Sequence, residues 1–170
     1  MNAFLPLSRL TARAALPTPL GPMTALVTGG GLAALWFDGE QRWPLLDQLP
    51  QRPGDVHVHA ARLWLDAYWA GDDPSGIEVT LDMQGTSFQQ SVWSVLRSIP
   101  YGQTLTYGAV AGRVGPRAVA RATGSACGAN PVGVIVPCHR VIGANGSLTG
   151  FAGGLHRKEK LLAHEGALLL

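Results

Sequence analysis

The triplet Gly29-Gly30-Gly31 falls between two apolar runs, "TALV" and "LAALWF", and reads as the turn of a hairpin. The first 50 residues repeat this alternation of apolar runs and turn signals ("TARAALPTPLG", "PMTALVTGG", "LAALWFDGE"), which predicts a small antiparallel sheet. From Val56 the period changes. Val56, Ala60, Leu63 and Ala67 fall at i, i+4, i+7 and i+11, the stripe of an amphipathic helix ending near Gly71. His57 and His59 lie two apart at its start, cannot share a helical face, and are read as surface residues rather than ligands. "DDPSG" is a linker and "IEVTLDM" a further strand, so a first domain covers residues 1–84.

The remainder, residues 85–170, is mostly helical in pattern and forms a second domain. "TSFQQSVWSVLRSIP" opens on an N-cap at Thr86 or Ser87, carries apolar Phe88, Val92, Val95 and Leu96, and stops at Pro100. "TYGAVAGRVG" is a short helix ending at Gly115, and "PRAVARATGSACG" follows with its proline in the first turn. Two short helices across a glycine-containing corner suggest a helix-turn-helix. Arg117 and Arg121, four apart, share one face of the second helix, where Ala118, Ala120, Ala122, Gly124, Ser125 and Ala126 add almost no bulk. Such a helix could bring its backbone close to a widened minor groove, though the same alanines would also suit packing against a neighbouring helix.

Charge divides the chain at the same place. Residues 1–84 hold five arginines against nine acids, whereas residues 85–170 hold eight Lys and Arg against Glu159 and Glu165. The second half is the side that meets a polyanion, although charge alone would look the same on a merely solvated face. At 170 residues with 46% hydrophobic and 14% charged residues, the chain can bury one substantial core or two small ones without a disulfide or metal staple. "MNAFLPLSRL" lacks the features of a secretory signal, and no window approaches the ~20 apolar residues of a membrane span. A cytoplasmic chain with no membrane association is expected, with Cys127 and Cys138 as free thiols.

"IVPCHRVIG" then stands out, because a buried strand would carry Val or Ile where this chain has Cys138, His139 and Arg140. A cysteine is a useful nucleophile only as thiolate, and its free pKa of roughly 8.5 calls for a nearby base or cation. His139 and Arg140 are the evident helpers. Neighbours on a regular strand point to opposite faces, so His139 reaches Cys138 only through a bend or a bridging water, and Pro137 favours an irregular backbone there. In "LHRKEKLLAHEG", Leu155, Leu161 and Leu162 mark an apolar face, and Glu165 follows at its edge near the helix C-terminus, where the dipole disfavours negative charge. A Cys138, His139, Glu165 relay would give that carboxylate a partner; the alternative is a solvated glutamate before the Gly166 cap.

"IVPCHRVIG", preceded by "GANPVGV" and followed by "GSLTGFAGGLHRKEKLLAHEG", resembles the O6-alkylguanine-DNA alkyltransferases. The resemblance is strong over residues 85–166 and looser over "ARLWLDAYWAG" to "TLDMQGTSFQQ". It implies an α+β fold: a ribonuclease-H-like N-terminal sheet with a helix, then a mostly helical domain with a helix-turn-helix and the active-site cysteine. It also implies a monomer whose partner is double-stranded DNA containing alkylated guanine, with O4-alkylthymine as a second lesion, and a single-turnover transfer of the alkyl group onto Cys138 after base flipping. His139 would act as base through water, Glu165 would orient it, and Asn130 would tie the DNA-reading helix to the active-site segment. Arg121 would fill the stack left by the extruded nucleotide, with Arg117, Ala122 and Ser125 on the same DNA-facing helix. Tyr107 would crowd the target phosphate and donate to the base. The Cys138 and Val141 carbonyls would accept from the exocyclic amine, the Ala152 amide would donate to O6, and Pro131 and Phe151 would wall the pocket.

The chain departs from that pattern at Phe151-Ala152, where many members have Tyr-Ser, and at Pro116, which follows Gly115 directly and shifts the helix start. No cysteine precedes Cys127 and no Cys/His spacing suits a metal, so no metal or cofactor is expected. Two other classes compete: a lesion-binding protein of this fold without chemistry, which the presence of Cys138 argues against, and a cysteine hydrolase, which an S-alkyl thioether could not serve.

Overall fold

The computed structural model describes residues 6–39 and 46–168, and the extreme N-terminal residues read above for a signal lie outside them. It is a mixed α+β structure of two compact units, one formed by most of residues 3–84 with Pro131–Gly133, the other by residues 85–130 and 134–170.

The first unit is built on an antiparallel sheet in the order β1 (Leu10–Leu16), β2 (Met23–Thr28), β3 (Gly31–Phe37). The glycine triplet makes the expected hairpin, with Thr28 opposite Gly31. Every residue of β3 is buried, and this strand reads as an unbroken apolar run, whereas β1 alternates buried and more exposed residues. Leu10, Leu26, Ala34 and Trp36 pack beneath Leu7, Leu46 and Leu49, and α1 (Val56–Ala70) packs on β2 and β3.

The ends of α1 are set locally. The Asp55 carboxylate accepts from the amides of His57 and Val58, and Gly71 closes the helix in the left-handed region at φ 86°. Its face is not the predicted one. Val56 is 70% and Leu63 46% exposed, whereas Val58, Ala61, Leu65 and Tyr68 are buried, because the larger side chains of the second stripe remove more apolar surface from water. "IEVTLDM" likewise forms no strand: it makes the single parallel bridge Leu81 to Leu32, with Leu32 N–H donating to Thr80 and Asp82 N–H to Leu32. It cannot run further along β3, whose edge is taken at Leu35 by Val132.

In the second unit α2 (Ser87–Arg97) starts on a full capping box between Thr86 and Gln89. It packs against α3 (Tyr107–Val114), capped by Thr106, and α4 (Ala120–Gly128), and the fully buried Trp93 of α2 donates its indole N–H to the Ala126 carbonyl at 2.9 Å. A two-residue parallel pair, β4 (Leu105–Thr106) with β5 (Val141–Ile142), sets the start of α3 beside the segment that follows Cys138. The last helix is α5 (Leu155–His164).

Pro116 is not in a helical first turn. Pro116 and Arg117 lie in a turn closed by Ala118 N–H to Gly115, Val119 is extended, and α4 begins only at Ala120. Arg117 therefore does not share a helical face with Arg121. The physical reason is Gly115 at φ 152°, ψ 171°, which turns the chain away so that the residues after the proline must swing back before a helix can start.

Candidate active site

Pro137 at φ −82°, ψ 64° follows the turns and bend of residues 133–136, and Cys138–Arg140 form a 3-10 turn held by Arg140 N–H to Pro137 and Val141 N–H to Cys138. The predicted irregular backbone is thus present, and it separates three neighbouring side chains. Cys138 is half-buried, while His139 and Arg140 are buried. Asn130, just past the end of α4, donates from its side-chain amide to the Val136 carbonyl at 2.8 Å, which ties α4 to the residues leading into the turn.

His139 Nε2 lies 2.6 Å from Glu165 Oε1, and Nδ1 has no hydrogen-bond partner among the described residues. Burial holds the imidazole below its usual pKa, against the opposing pull of Glu165. Arg140, read in the sequence as a helper of the thiol, instead donates from Nε and Nη2 to Glu165 at 2.8 and 3.0 Å, and from Nη1 to the Ile99 carbonyl at 2.7 Å. Its guanidinium lies over the Tyr101 ring at 5.8 Å. A fourth bond reaches the carboxylate from Gly102 N–H at 3.1 Å.

Glu165 is the C-cap of α5, where the helix dipole and burial both oppose a negative charge. Burial pushes its pKa up, but the His139 and Arg140 bonds and the Arg140 charge more than reverse this and hold it at about 2. With a permanently charged arginine in a fork around the carboxylate, the ionised glutamate and neutral histidine are the consistent pair. Nε2 then carries the proton it shares with Glu165, and Nδ1 carries the lone pair. The arrangement is a base whose tautomer is set from behind.

Gly102 is required twice over. Its φ is 74°, and a Cβ there would stand 2.9 Å from the Glu165 carbonyl oxygen.

On α4, Arg121, Ala122 and Ser125 face outward, while Thr123, Ala126 and Cys127 face the unit's core. Burial, with the nearby Cys138 second, pushes the Cys127 thiol up to about 12. Arg117 is exposed in its turn, outside the helix. Tyr107 at the start of α3 donates its hydroxyl to the Thr149 carbonyl at 2.9 Å, so the proton expected to serve a base is engaged within the protein. Val141 is buried in β5, Phe151 meets the His139 ring edge-on at 6.4 Å, and Ala152 is exposed in a turn closed by Gly154 N–H to Phe151. Pro131 belongs to the segment grouped with the sheet, where its carbonyl accepts from Leu35 N–H at 2.8 Å.

Sequence reasoning missed two members of this cluster, Gly102 and Lys158. Lys158 precedes Leu161 by three, Leu162 by four and Glu165 by seven, so its place on the apolar face was the available signal. Among the described residues no group of three or more His, Cys, Asp or Glu could hold a metal, and no helix is long and apolar enough to cross a membrane.

The chain can be set beside known proteins. Residues 87–167 match the family described as "6-O-methylguanine DNA methyltransferase, DNA binding domain". A methylated-DNA–protein-cysteine methyltransferase of Mycobacterium tuberculosis is 43% identical over 150 residues, covering 88% of this chain and 89% of that one. One from Methanosarcina acetivorans is 43% identical over 151 residues, covering 88% and 95%. The crystal structure of Mycobacterium tuberculosis OGT in complex with DNA superposes with a TM-score of 0.81 at 41% identity, covering 91% of this chain and 92% of that chain.

Proposed function

The chain belongs to the 6-O-methylguanine DNA methyltransferase family, and on that premise we propose how its residues carry out direct-reversal repair. It is a methylated-DNA–protein-cysteine methyltransferase that binds DNA and moves the alkyl group of O6-alkylguanine onto itself. The observation that carries the assignment of roles is the His139–Glu165 bond, which leaves Nδ1 as the basic atom of a buried ring next to a half-exposed thiol.

In this reading Cys138 passes its proton through water to His139 Nδ1, and Glu165 stabilises the imidazolium that forms. The thiolate attacks the alkyl carbon. A carbon–sulfur bond forms, the carbon–O6 bond breaks, and its electron pair leaves on guanine, which takes up a proton. The Ala152 amide steadies the developing charge at O6. The Cys138 and Val141 carbonyls accept from the exocyclic amine. Phe151 and Val141 wall the base. Tyr107 must release Thr149 if it is to donate to the base.

Residues 85–170 act as the DNA-binding and transfer domain, and residues 1–84 as a ribonuclease-H-like scaffold. α3 and α4 serve as the helix-turn-helix, with Ala122 and Ser125 against the groove, Arg121 filling the stack and Arg117 at a phosphate. Asn130 couples that helix to the thiol. The protein works as a cytoplasmic monomer, and O4-alkylthymine, with the same alkyl–oxygen bond, is its second lesion.

The product is a neutral thioether that neither His139 nor water can cleave, so each chain repairs one lesion. With excess O6-methylguanine duplex, intact-mass analysis should find one methyl per chain, and peptide mapping should place it on Cys138. Cys127, with its thiol pushed up to about 12, serves as the internal control. Several turnovers per chain, or methyl on Cys127, would overturn the assignment.

A further inference from the structure

Of the charged side chains on α5, Lys158 alone is buried, at 0% exposure, and the transfer reaction above gives it no task. An ammonium withdrawn from water is strongly destabilising unless its donors are matched. Here all of them are. Lys158 Nζ donates to the carbonyls of Val141 at 2.5 Å, Thr149 at 2.7 Å and Gly150 at 3.3 Å. An ammonium has three N–H bonds, so none remains for the Cys138 sulfur.

The identity of the three acceptors is informative. Val141 stands in β5, three residues after Cys138. Thr149 and Gly150 immediately precede Phe151 and Ala152, in a stretch whose residues 144–147, 149 and 150 are exposed and which has no regular secondary structure. One ammonium thus joins the strand beside the nucleophile to the loop that supplies a pocket wall and an O6 donor. Thr149 spends its second lone pair on the Tyr107 hydroxyl, and the Tyr107 ring lies 5.9 Å from Nζ, so α3 is tied into the same knot.

We propose that Lys158 is a positioning residue for alkyl transfer, holding Phe151 and Ala152 in register with Val141 and Cys138 through these three carbonyls. The proposal rests on the alkyltransferase reading above. Only a tetrahedral ammonium sends three donors from one point to three converging oxygens; a planar guanidinium cannot, although it carries the same charge. Burial lowers the Lys158 pKa, while the nearby thiols, when ionised, favour its charged form. A role through charge on Cys138 is therefore the rival to be separated.

The test is single-turnover transfer from an O6-methylguanine duplex over a range of protein concentrations, for the wild type, Lys158→Met and Lys158→Arg. In parallel, the pH profile of Cys138 alkylation by iodoacetamide reports the thiol alone. The wild type is the control for the reading itself, since a wild type that transfers nothing sinks the alkyltransferase assignment rather than this proposal. Both variants should lose about tenfold to a hundredfold in maximal rate through misplaced reacting groups. Duplex affinity should stay within about threefold, because the α4 face and its phosphate contacts are untouched. The midpoint of the iodoacetamide profile should not move. A wild-type rate in either variant, or an upward shift of that midpoint in Lys158→Met, overturns the proposal. Loss of the native circular dichroism in both variants also overturns it, by assigning Lys158 to the fold as a whole.

Discussion

Replacing Glu165 with glutamine exchanges one carboxylate oxygen for an NH2 group and removes the charge on which His139, Arg140 and Gly102 converge. The side chain is fully buried and that of Arg140 nearly so, so the guanidinium is left without its counter-ion. Breaking a buried pair in this way costs about 3–5 kcal/mol. The carboxyl held at about 2 instead of the ordinary 4.5 points the same way, a preference of roughly 3 kcal/mol for the charged form that His139 and Arg140 share against burial. The amide cannot be oriented well either way. With its oxygen toward Arg140, the NH2 faces His139 Nε2 and drives the ring proton to Nδ1, which abolishes the base. With its oxygen toward His139, the NH2 opposes the guanidinium donors. Single-turnover transfer from methylated duplex should fall about a hundredfold to ten-thousandfold, the usual contribution of a positioned base. The urea midpoint should fall by on the order of 1–2 M. Transfer within about threefold of wild type would refute the tautomer argument, and an unchanged urea midpoint would refute the energetic one.

Three further outcomes follow from the same geometry. Because the folded Glu165 carboxyl lies at about 2 against an ordinary 4.5, its stabilisation is complete above pH 4.5 and drains away as the pH falls toward 2. The buried neutral His139 acts in the same sense from its ordinary 6.5 downward, so urea midpoints should decline steadily on acidification, and Glu165→Gln should flatten the part below pH 4.5. Gly102→Ala should cost about 1–3 kcal/mol by thermal melting, since it combines a left-handed backbone with a blocked Cβ. Gly71→Ala, at φ 86° but with open space around it, should cost less, and equal losses would rule out the contact with Glu165 as the cause. Arg121→Ala, at an exposed position on α4, should leave the melting temperature unchanged but slow transfer from duplex much more than transfer from a free modified base, because only the duplex has to be opened. Equal slowing on both substrates would move Arg121 into the chemistry.

The amino-acid sequence alone determined whatever is settled within a few residues of chain. The Gly29–Gly31 hairpin, a cap at Thr86 or Ser87, the Gly71 stop and the break at Pro137 were legible because caps, turns and backbone restrictions are local energies that no distant contact has to complete. The placement of Glu165 on the edge of an apolar helix face was legible for the same reason, and the structure brings it to His139. Tertiary structure decided whatever depended on which surface met which. Two stripes of α1 were apolar, and only the sheet chose Val58, Ala61, Leu65 and Tyr68 over Val56 and Leu63. "IEVTLDM" had the composition of a strand but found the β3 edge already occupied at Leu35. Arg140 looked like a partner for the adjacent thiol, yet a 3-10 turn sent it to a carboxylate 25 residues away. Lys158 stands on the apolar face of its helix in the sequence, but only the fold brings the carbonyls of Val141 and of Thr149 and Gly150, from two separate stretches of chain, to one point around its ammonium.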